Sequence, residues 1–182
     1  MSIAGRVWKA LQRGVSIGCE IIQIFVKNNM QWFGKPCSPS GVAKFASELA
    51  ASKLASVFGH TGYLINLAAP PSTKRDQSIK SLVQEIQLAG QLGLPFLVMH
   101  PGAHLGAGET AGLNRVAAGL NEVLSATKTS TVRIALRVFD KVERFNGCAA
   151  VVRSATAGGF NSMTNLPGFG RVTGISTLSR AG

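Results

Sequence analysis

The sequence predicts an α/β fold with about four strand–helix units and an irregular C-terminal tail. Short β-branched, apolar segments recur along residues 1–136. Longer segments with apolar residues at helical spacing separate them. Such alternation is typical of parallel strands joined by right-handed crossover helices. At 182 residues the chain can form one domain with a sizeable core, although a complete (β/α)₈ barrel takes about 250 residues.

The first half of the chain predicts two helices and one strand before residue 55. Before the first strand a helix that another strand should precede is predicted from the apolar residues Val7, Trp8, Leu11 and Val15. Residues 20–26 (EIIQIFV) are too short and too β-branched for a helix, and they predict a buried strand. Ser38 followed by Pro39 predicts a helix start, and the apolar spacing carries that helix to Leu54.

Three more strands and two more helices follow in alternation. Strands are predicted at residues 56–59, 95–99 and 131–136. One helix begins near Ser72 or Thr73, carries apolar residues to Leu92 and is stopped by Gly93. The other is predicted over residues 109–126.

The pattern ends after residue 136. The segment 137–182 is rich in Gly, Ser and Thr, and only residues 149–153 (AAVVR) look like a stray strand. We therefore divide the chain into a barrel-like domain, 1–136, and an irregular tail, 137–182, with Arg137 at the end of the regular fold.

Composition narrows the class of protein. The hydrophobic share of 46% is typical of a globular chain, and no apolar run is long enough to cross a bilayer. Without a visible signal-peptide core, a cytoplasmic protein is expected. Nineteen Lys and Arg against eight Asp and Glu give a net charge of +11, which suits a polyanion such as nucleic acid. Carboxylates that could hold metal ions are correspondingly scarce.

Two histidines directly follow predicted strands. His60 follows the strand at 56–59, and His100 follows the strand at 95–99. The carboxyl ends of adjacent parallel strands lie at one edge, so both imidazoles should point at one site. Two neutral imidazoles suit zinc, although structural loop histidines remain the alternative.

Three motifs in these loops resemble those of the endonuclease IV family. Residues 60–67 (HTGYLINL) resemble H-x-x-Y-L-I-N-L, residues 100–104 (HPGAH) resemble H-P-G-x-H, and residues 27–32 (KNNMQW) resemble K-N-x-x-Q-W. The resemblance implies a partial (β/α)₈ TIM barrel. It also implies the activity of that family: DNA repair by zinc-dependent hydrolysis of the phosphodiester 5′ to abasic sites in double-stranded DNA, with three zinc ions.

The same resemblance implies roles for individual residues. His60 and His100 would be zinc ligands, and Tyr63 and Leu64 would press into DNA at the lesion, where such side chains can fill a gap in the base stack. His104 would be an outer-shell or structural residue. The residues that would border the DNA groove are Asn28, Asn29, Gln31 and Trp32. Ordinary loop packing for Tyr63, Leu64 and Trp32 remains an alternative, and Lys27 could meet phosphate or be a solvated charge.

The chain departs from the family at several metal-ligand positions. The family's first strand, which ends in G-A-H, has no counterpart here, and the family has Gly where Arg6 stands. The family's bridging Glu, which opens E-N-T-A-G, is replaced by Arg137. We therefore expect at most one Zn²⁺ and an inactive enzyme, and open sheet edges that favour self-association.

Two other functions are left open. The chain could be a non-catalytic gene-fragment product that binds DNA weakly through its charge. It could also be a sugar isomerase of related barrel architecture, which the Y-L-I-N-L loop and the basic balance disfavour.

Overall fold

Four parallel strands form the centre of the fold. The structure is a computed structural model and describes residues 1–138, 148–152 and 163–165. The parallel strands are β1 (Ile21–Phe25), β2 (Ser56–His60), β3 (Phe96–Met99) and β4 (Arg133–Val138). Between and before them lie the helices α1 (Lys9–Ser16), α2 (Pro39–Ala51), α3 (Thr73–Gln91) and α4 (Glu109–Ala126). The predicted alternation of strands and helices is confirmed.

Helix ends occur where the local sequence signals predict them. The Ser38 hydroxyl accepts the amide of Gly41 at 3.1 Å, with Pro39 at the first helical position. Ser72 caps α3 in the same way, accepting from Arg75 at 3.3 Å. After α3, Gly93 adopts φ +67°, which glycine tolerates without steric cost.

The prediction that α2 reaches Leu54 is wrong. The helix ends at Ala51, because Ser52 turns into an extended conformation, φ −80° and ψ 160°. The Ser52 hydroxyl donates to the carbonyl of Leu49 and accepts the amide of Leu54. These bonds replace the helical ladder, so Leu54 reaches the core from a turn.

A single hydrophobic core lies between the sheet and the helices. Side chains with at most 1% exposure come from the strands (Ile24, Leu97, Ile134) and from the helices (Leu11, Phe45, Leu82, Leu120). Fully burying one such side chain is worth about 1.5–3 kcal/mol. Gly59 lets β2 approach this layer, because a Cβ there would lie 2.8 Å from Leu97 Cδ1.

The sheet continues beyond its parallel part. Strand β5 (Cys148–Val152) pairs antiparallel with β4, and β6 (Met163–Asn165) pairs antiparallel with β5. The possible strand at 149–153 is therefore present, whereas the short β6 was not foreseen. Arg137 lies within β4 rather than at the end of regular structure. The expected open edge at β4 is thus covered, and the edges of the described sheet are β1 and β6. None of the helices in the described ranges is long and apolar enough to cross a membrane.

Candidate functional site

Loops from three parallel strands converge at one edge of the sheet. Each strand is followed by a segment carrying one of the three motifs: residues 27–32 after β1, 60–67 at the end of β2, and 100–104 after β3. Parallel pairing in the order β1–β2–β3 brings these segments side by side. The edge at the carboxyl ends of the strands is therefore the candidate site.

His60 and His100 are neighbours at this edge. Their ring centroids are 5.3 Å apart, with an interplanar angle of 50°. His60 is 5% exposed, and its Nδ1 lies 2.8 Å from the Thr61 carbonyl oxygen. A carbonyl oxygen can only accept, so Nδ1 carries the proton and Nε2 keeps a lone pair that can bind a metal. Backbone hydrogen bonds of this kind orient metal-binding histidines in proteins.

Burial favours the neutral form of both imidazoles. Desolvation lowers the pKa of His60 and of His100 below the ordinary histidine value. For His100 the neighbouring His60 lowers the pKa further, and the positive charge of Arg137 acts in the same direction on both rings. Neutral imidazole is the form that binds zinc, so this shift favours a metal. The charge of Arg137 itself opposes a cation.

At this edge the described residues bring together two imidazoles, those of His60 and His100. Among the residues that the structure describes, no group of three or more His, Cys, Asp and Glu side chains could hold a metal. Two imidazoles leave a tetrahedral ion to be completed by solvent. Closely spaced cations need several carboxylates to offset their repulsion.

Two aromatic rings lie against His60. Phe25, at the end of β1, contacts His60 edge-on with centroids 5.6 Å apart and contacts Tyr63 at 5.3 Å. Tyr63 in turn lies 6.3 Å from His60. Phe25 was not singled out from the sequence, because an aromatic at a strand end has the appearance of a core residue.

A groove of about 490 Å³ is lined in part by Tyr63, the residue whose ring neighbours His60. Tyr63 is 63% exposed and Leu105 is 68% exposed, so apolar surface is presented to solvent here. Lys74 and Arg75, at the start of α3, supply positive charge on the same groove. The side chains that line it include Trp32, Tyr63, Leu64, Lys74, Arg75 and Leu105.

Leu105 was missed by the sequence analysis. Its backbone adopts φ +52°, a conformation that is strained for leucine and common for glycine. An exposed leucine held in this conformation and lining the groove is a candidate contact residue. A leucine between a histidine motif and a glycine gave no signal in the sequence.

The loop after β1 presents its polar residues to solvent. Asn28 and Gln31 are exposed, and Asn29 and Trp32 are half-buried. The Asn28 side chain accepts the amide of Met30 at 2.9 Å, which shapes the turn. The carbonyl of Asn29 accepts the amide of Tyr63 at 3.1 Å, so this loop is hydrogen-bonded to the loop after β2.

Asn66 links the loop after β2 to the loop after β3. Its Oδ1 accepts the amides of Ala69 and Ala103 at 3.1 Å, and its Nδ2 donates to the Ala103 carbonyl at 3.0 Å. Gly102 adopts φ +91°, and a Cβ there would lie 2.0 Å from Asn66 Oδ1. The Asn of Y-L-I-N-L and the Gly of H-P-G are therefore both needed for this contact: Asn66 makes the hydrogen bonds, and Gly102 leaves room for its side chain.

His104 caps its own loop. It is exposed, and its Nδ1 accepts the amide of Gly108 at 3.2 Å. This bond supports the structural alternative for His104, and an outer-shell role stays a prediction.

Lys27 is neither a solvated charge nor free to meet phosphate. It is 6% exposed, and its Nζ lies 2.9 Å from Oε1 of Glu85, which is fully buried. Glu85 was also missed by the sequence analysis. The available signal was an acid adjoining Leu82 and Ile86 on the apolar stripe of α3, a position that requires a partner.

The sequence matches a family of TIM-barrel proteins. A sequence profile described as "Xylose isomerase-like TIM barrel" matches residues 11–155. The chain belongs to this family, and the predicted partial (β/α)₈ barrel is confirmed.

Within that class, the curated relatives are endonucleases. A "Probable endonuclease 4" of Geobacter sp. (strain M21) is 42% identical over 136 residues, which cover 75% of this chain and 48% of that protein. A "Probable endonuclease 4" of Chloroflexus aggregans is 44% identical over the same shares. The resemblance to endonuclease IV is confirmed, and the chain spans about half the length of the curated relatives it matches.

Solved structures share the fold, and one of them is an endonuclease IV. The crystal structure of endonuclease IV from Thermus thermophilus superimposes with a TM-score of 0.66 at 26% identity, covering 80% of this chain and 52% of that one. D-Psicose 3-epimerase from Clostridium cellulolyticum has a TM-score of 0.58 at 12% identity, covering 79% and 50%. The second likeness shows the shared fold alone.

Proposed function

We propose that this chain is a DNA-binding unit of the endonuclease IV type, which binds double-stranded DNA that contains abasic sites. The observation that carries the proposal is the convergence of three motif-bearing loops at one edge, where His60 and His100 lie 5.3 Å apart. In relatives of this type the reaction is hydrolysis of a DNA phosphodiester, as the resemblance implies.

The groove lined by Tyr63 and Leu64 suits DNA with a missing base. Exposed Tyr63 and half-buried Leu64 can fill the space in the base stack. Lys74 supplies charge for the phosphates, and Arg75, whose guanidinium donates to the Arg115 carbonyl, adds positive charge beside it. The net charge of +11 adds attraction that does not depend on sequence.

We further propose that the chain binds at most one Zn²⁺, through His60 and His100. Zinc at this position would supply Lewis-acid polarisation of a phosphate oxygen. The protein's own contribution is to hold two neutral imidazoles side by side, with the His60 ring fixed by Thr61. Because Arg137 opposes a cation and the described residues hold no third ligand group, hydrolysis by this chain alone should be near background.

A binding experiment tests the DNA proposal. Affinity is measured by fluorescence anisotropy for a duplex with one abasic analogue and for the same duplex intact. The wild-type chain should prefer the abasic duplex. Tyr63→Ser should weaken abasic binding by about tenfold, because stacking of one aromatic is worth about 1–3 kcal/mol. Equal affinity for the two duplexes would contradict the proposal.

Ile17→Ser is the matched control for that experiment. Ile17 is 71% exposed, comparable with Tyr63, but it follows α1 at the opposite edge of the sheet. It should leave the preference unchanged. Incubating the wild-type chain with the abasic duplex and excess zinc measures hydrolysis in parallel, and incision abolished by His100→Ala would show that the chain is active.

Strand β1, an edge of the described sheet where the Met1 amino group binds the Gln23 carbonyl, also supports self-association. Ile21 on this strand is 54% exposed, and unpaired edge strands tend to pair with other chains. Sedimentation velocity at rising concentration should show species larger than the monomer, and Ile21→Lys should reduce them. A monomer at all concentrations would contradict this part.

A further inference from the structure

A buried ion pair lies beneath the candidate site. Lys27 Nζ and Glu85 Oε1 are 2.9 Å apart, and the two side chains are 4% and 0% exposed. Removing two charges from water costs several kcal/mol per ion, and their attraction offsets this only with further hydrogen bonds. The further hydrogen bonds of Lys27 and Glu85 therefore indicate the structural role of the pair.

Both partners bind backbone groups of the motif loops. Glu85 accepts the amide of Gly62 with Oε1 at 3.2 Å and Oε2 at 3.0 Å. Lys27 Nζ donates to the carbonyl of Gln31. Gly62 belongs to the loop after β2, which carries Tyr63 and Leu64. Gln31 belongs to the loop after β1, which carries Asn28 and Asn29. One ion pair thus connects two loops to α3.

Two more side chains of α3 bind the loop after β1. The Ser81 hydroxyl donates to the carbonyl of Trp32 at 2.6 Å, and Gln84 Oε1 accepts the amide of Gly34 at 2.8 Å. Residues 81, 84 and 85 lie on one helix face because they are spaced by three and four. This face anchors the loop along its length.

Space around Gly62 is also filled by the pair. A Cβ at this position would lie 3.1 Å from Lys27 Nζ, 3.1 Å from the Asn29 carbonyl oxygen and 3.3 Å from Glu85 Oε1. The Gly62 amide therefore lies directly against the carboxylate, and a side chain at this position would be crowded by both partners. Both loops are fixed by the same few atoms.

We infer that Lys27 and Glu85 are positioning residues that hold the loops after β1 and β2 as one rigid surface for DNA. The DNA part of this inference rests on the proposed function. Stability alone does not account for the pair, because buried ion pairs can often be replaced by apolar side chains without loss. An apolar pair would leave Gly62 N–H and the Gln31 carbonyl without these partners.

Amide hydrogen exchange tests the inference without DNA. In Glu85→Gln the amides of Gly34, Gly62 and Tyr63 should exchange at least about tenfold faster, while the amide of Thr61, which donates to the Val98 carbonyl within the sheet, should not. Unchanged exchange at the three loop amides would overturn the inference. An equal increase at Thr61 would also overturn it, because that result indicates general loosening.

Glu48→Gln is the matched control. Lys44 and Glu48 form a pair of the same length, 2.9 Å, on the exposed face of α2. Exposed pairs contribute little, so this variant should leave all four amides unchanged.

A double variant keeps the test decisive if Glu85→Gln fails to fold. Lys27→Met with Glu85→Gln leaves no unpaired buried charge, so it should unfold close to the wild-type midpoint. Its Gly34 amide should still exchange faster, because Lys27 no longer anchors the loop. Wild-type exchange in a folded double variant would overturn the inference.

DNA affinity of the double variant separates the two proposals. Its Kd for the abasic duplex should rise about tenfold, while Glu48→Gln should bind as the wild type does. Faster loop exchange with unchanged affinity would overturn the DNA half of the inference. If the wild-type chain itself shows no preference for the abasic duplex, the proposed function fails, and the exchange result still decides the loop coupling.

Discussion

Arg137 places a permanent positive charge beside the candidate zinc ligands. It lies one residue beyond Leu136, which pairs with Met99, and so adjoins His100 across β3 and β4. After burial, its charge is a further cause of the lowered pKa of both His60 and His100. A group that disfavours protonated imidazole also disfavours zinc, because both effects arise from the same Coulomb repulsion.

Arg137→Glu should therefore raise zinc affinity by at least about tenfold, or about 1.4 kcal/mol. The variant removes the repulsion and offers a carboxylate as a third ligand. Competition with a chromophoric chelator measures the affinity. Lys128→Glu makes the same change in net charge on an exposed lysine after α4 and should have little effect. Equal gains in the two variants would show that Arg137 does not act locally.

Leu105 combines strain with exposure. At φ +52° leucine is disfavoured by about 1–2 kcal/mol, and at 68% exposure it recovers little through burial. Leu105→Gly should therefore stabilise the chain by about 1 kcal/mol in urea denaturation and weaken binding to the abasic duplex. Leu113→Gly, at an exposed position within α4, should instead destabilise by about 1 kcal/mol. Destabilisation by both variants would exclude strain at Leu105.

At the scale of elements, local signals predicted most of the fold. Ser38 and Ser72 cap helices, and Gly93 ends one, because these effects involve residues close in sequence. The bounds of α4, Glu109–Ala126, were predicted without error. Periodicity extended α2 to Leu54 wrongly, since a repeat pattern does not register the turn at Ser52. Strand β6 has three residues, too few for a periodic signal.

The site was predicted less completely than the fold. Strand-end placement and the motifs brought His60 and His100 to one edge, and the structure has them adjacent. Their binding of zinc stays a prediction. The Lys27–Glu85 pair joins a strand end to the middle of a distant helix, and no local pattern in a single sequence encodes such a partner. Contacts between residues far apart in sequence, such as this ion pair, therefore could not be predicted from the sequence alone.

The hydrogen bonds of Asn66, which join the loop after β2 to the loop after β3, can be tested directly by mutation. Asn66→Ala removes its hydrogen bonds to Ala69 and Ala103 and frees the loop that begins at His100. Loss of these bonds should lower the free energy of unfolding by about 1–3 kcal/mol and should weaken zinc binding. Asn121→Ala, at an exposed site on α4, should stay within about 0.5 kcal/mol of the wild type. Equal urea midpoints for the two variants would exclude a structural role for Asn66.

At the scale of the whole molecule, the two edges of the sheet differ in chemistry. The edge at the carboxyl ends of the parallel strands carries the histidines, the groove and the charges of Lys74 and Arg75. The opposite edge carries exposed apolar side chains of Val15, Ile17 and Ile21. This polarity follows from parallel pairing, which sends every β-to-α loop to one side. DNA binding should therefore use the carboxyl ends of the strands, whereas self-association should use the lateral edge strand β1.

Salt dependence of DNA binding tests this polarity. Each phosphate neutralised by a side chain releases counterions, so the slope of log affinity against log salt counts such contacts. Lys74→Ala, in the groove, should reduce the magnitude of that slope by about one. Lys128→Ala, in the loop that leads into β4 at the opposite edge, removes the same charge and should leave the slope unchanged. Equal reductions would mean that net charge, rather than the groove, holds the DNA. The polarity of the sheet would then have no bearing on DNA binding.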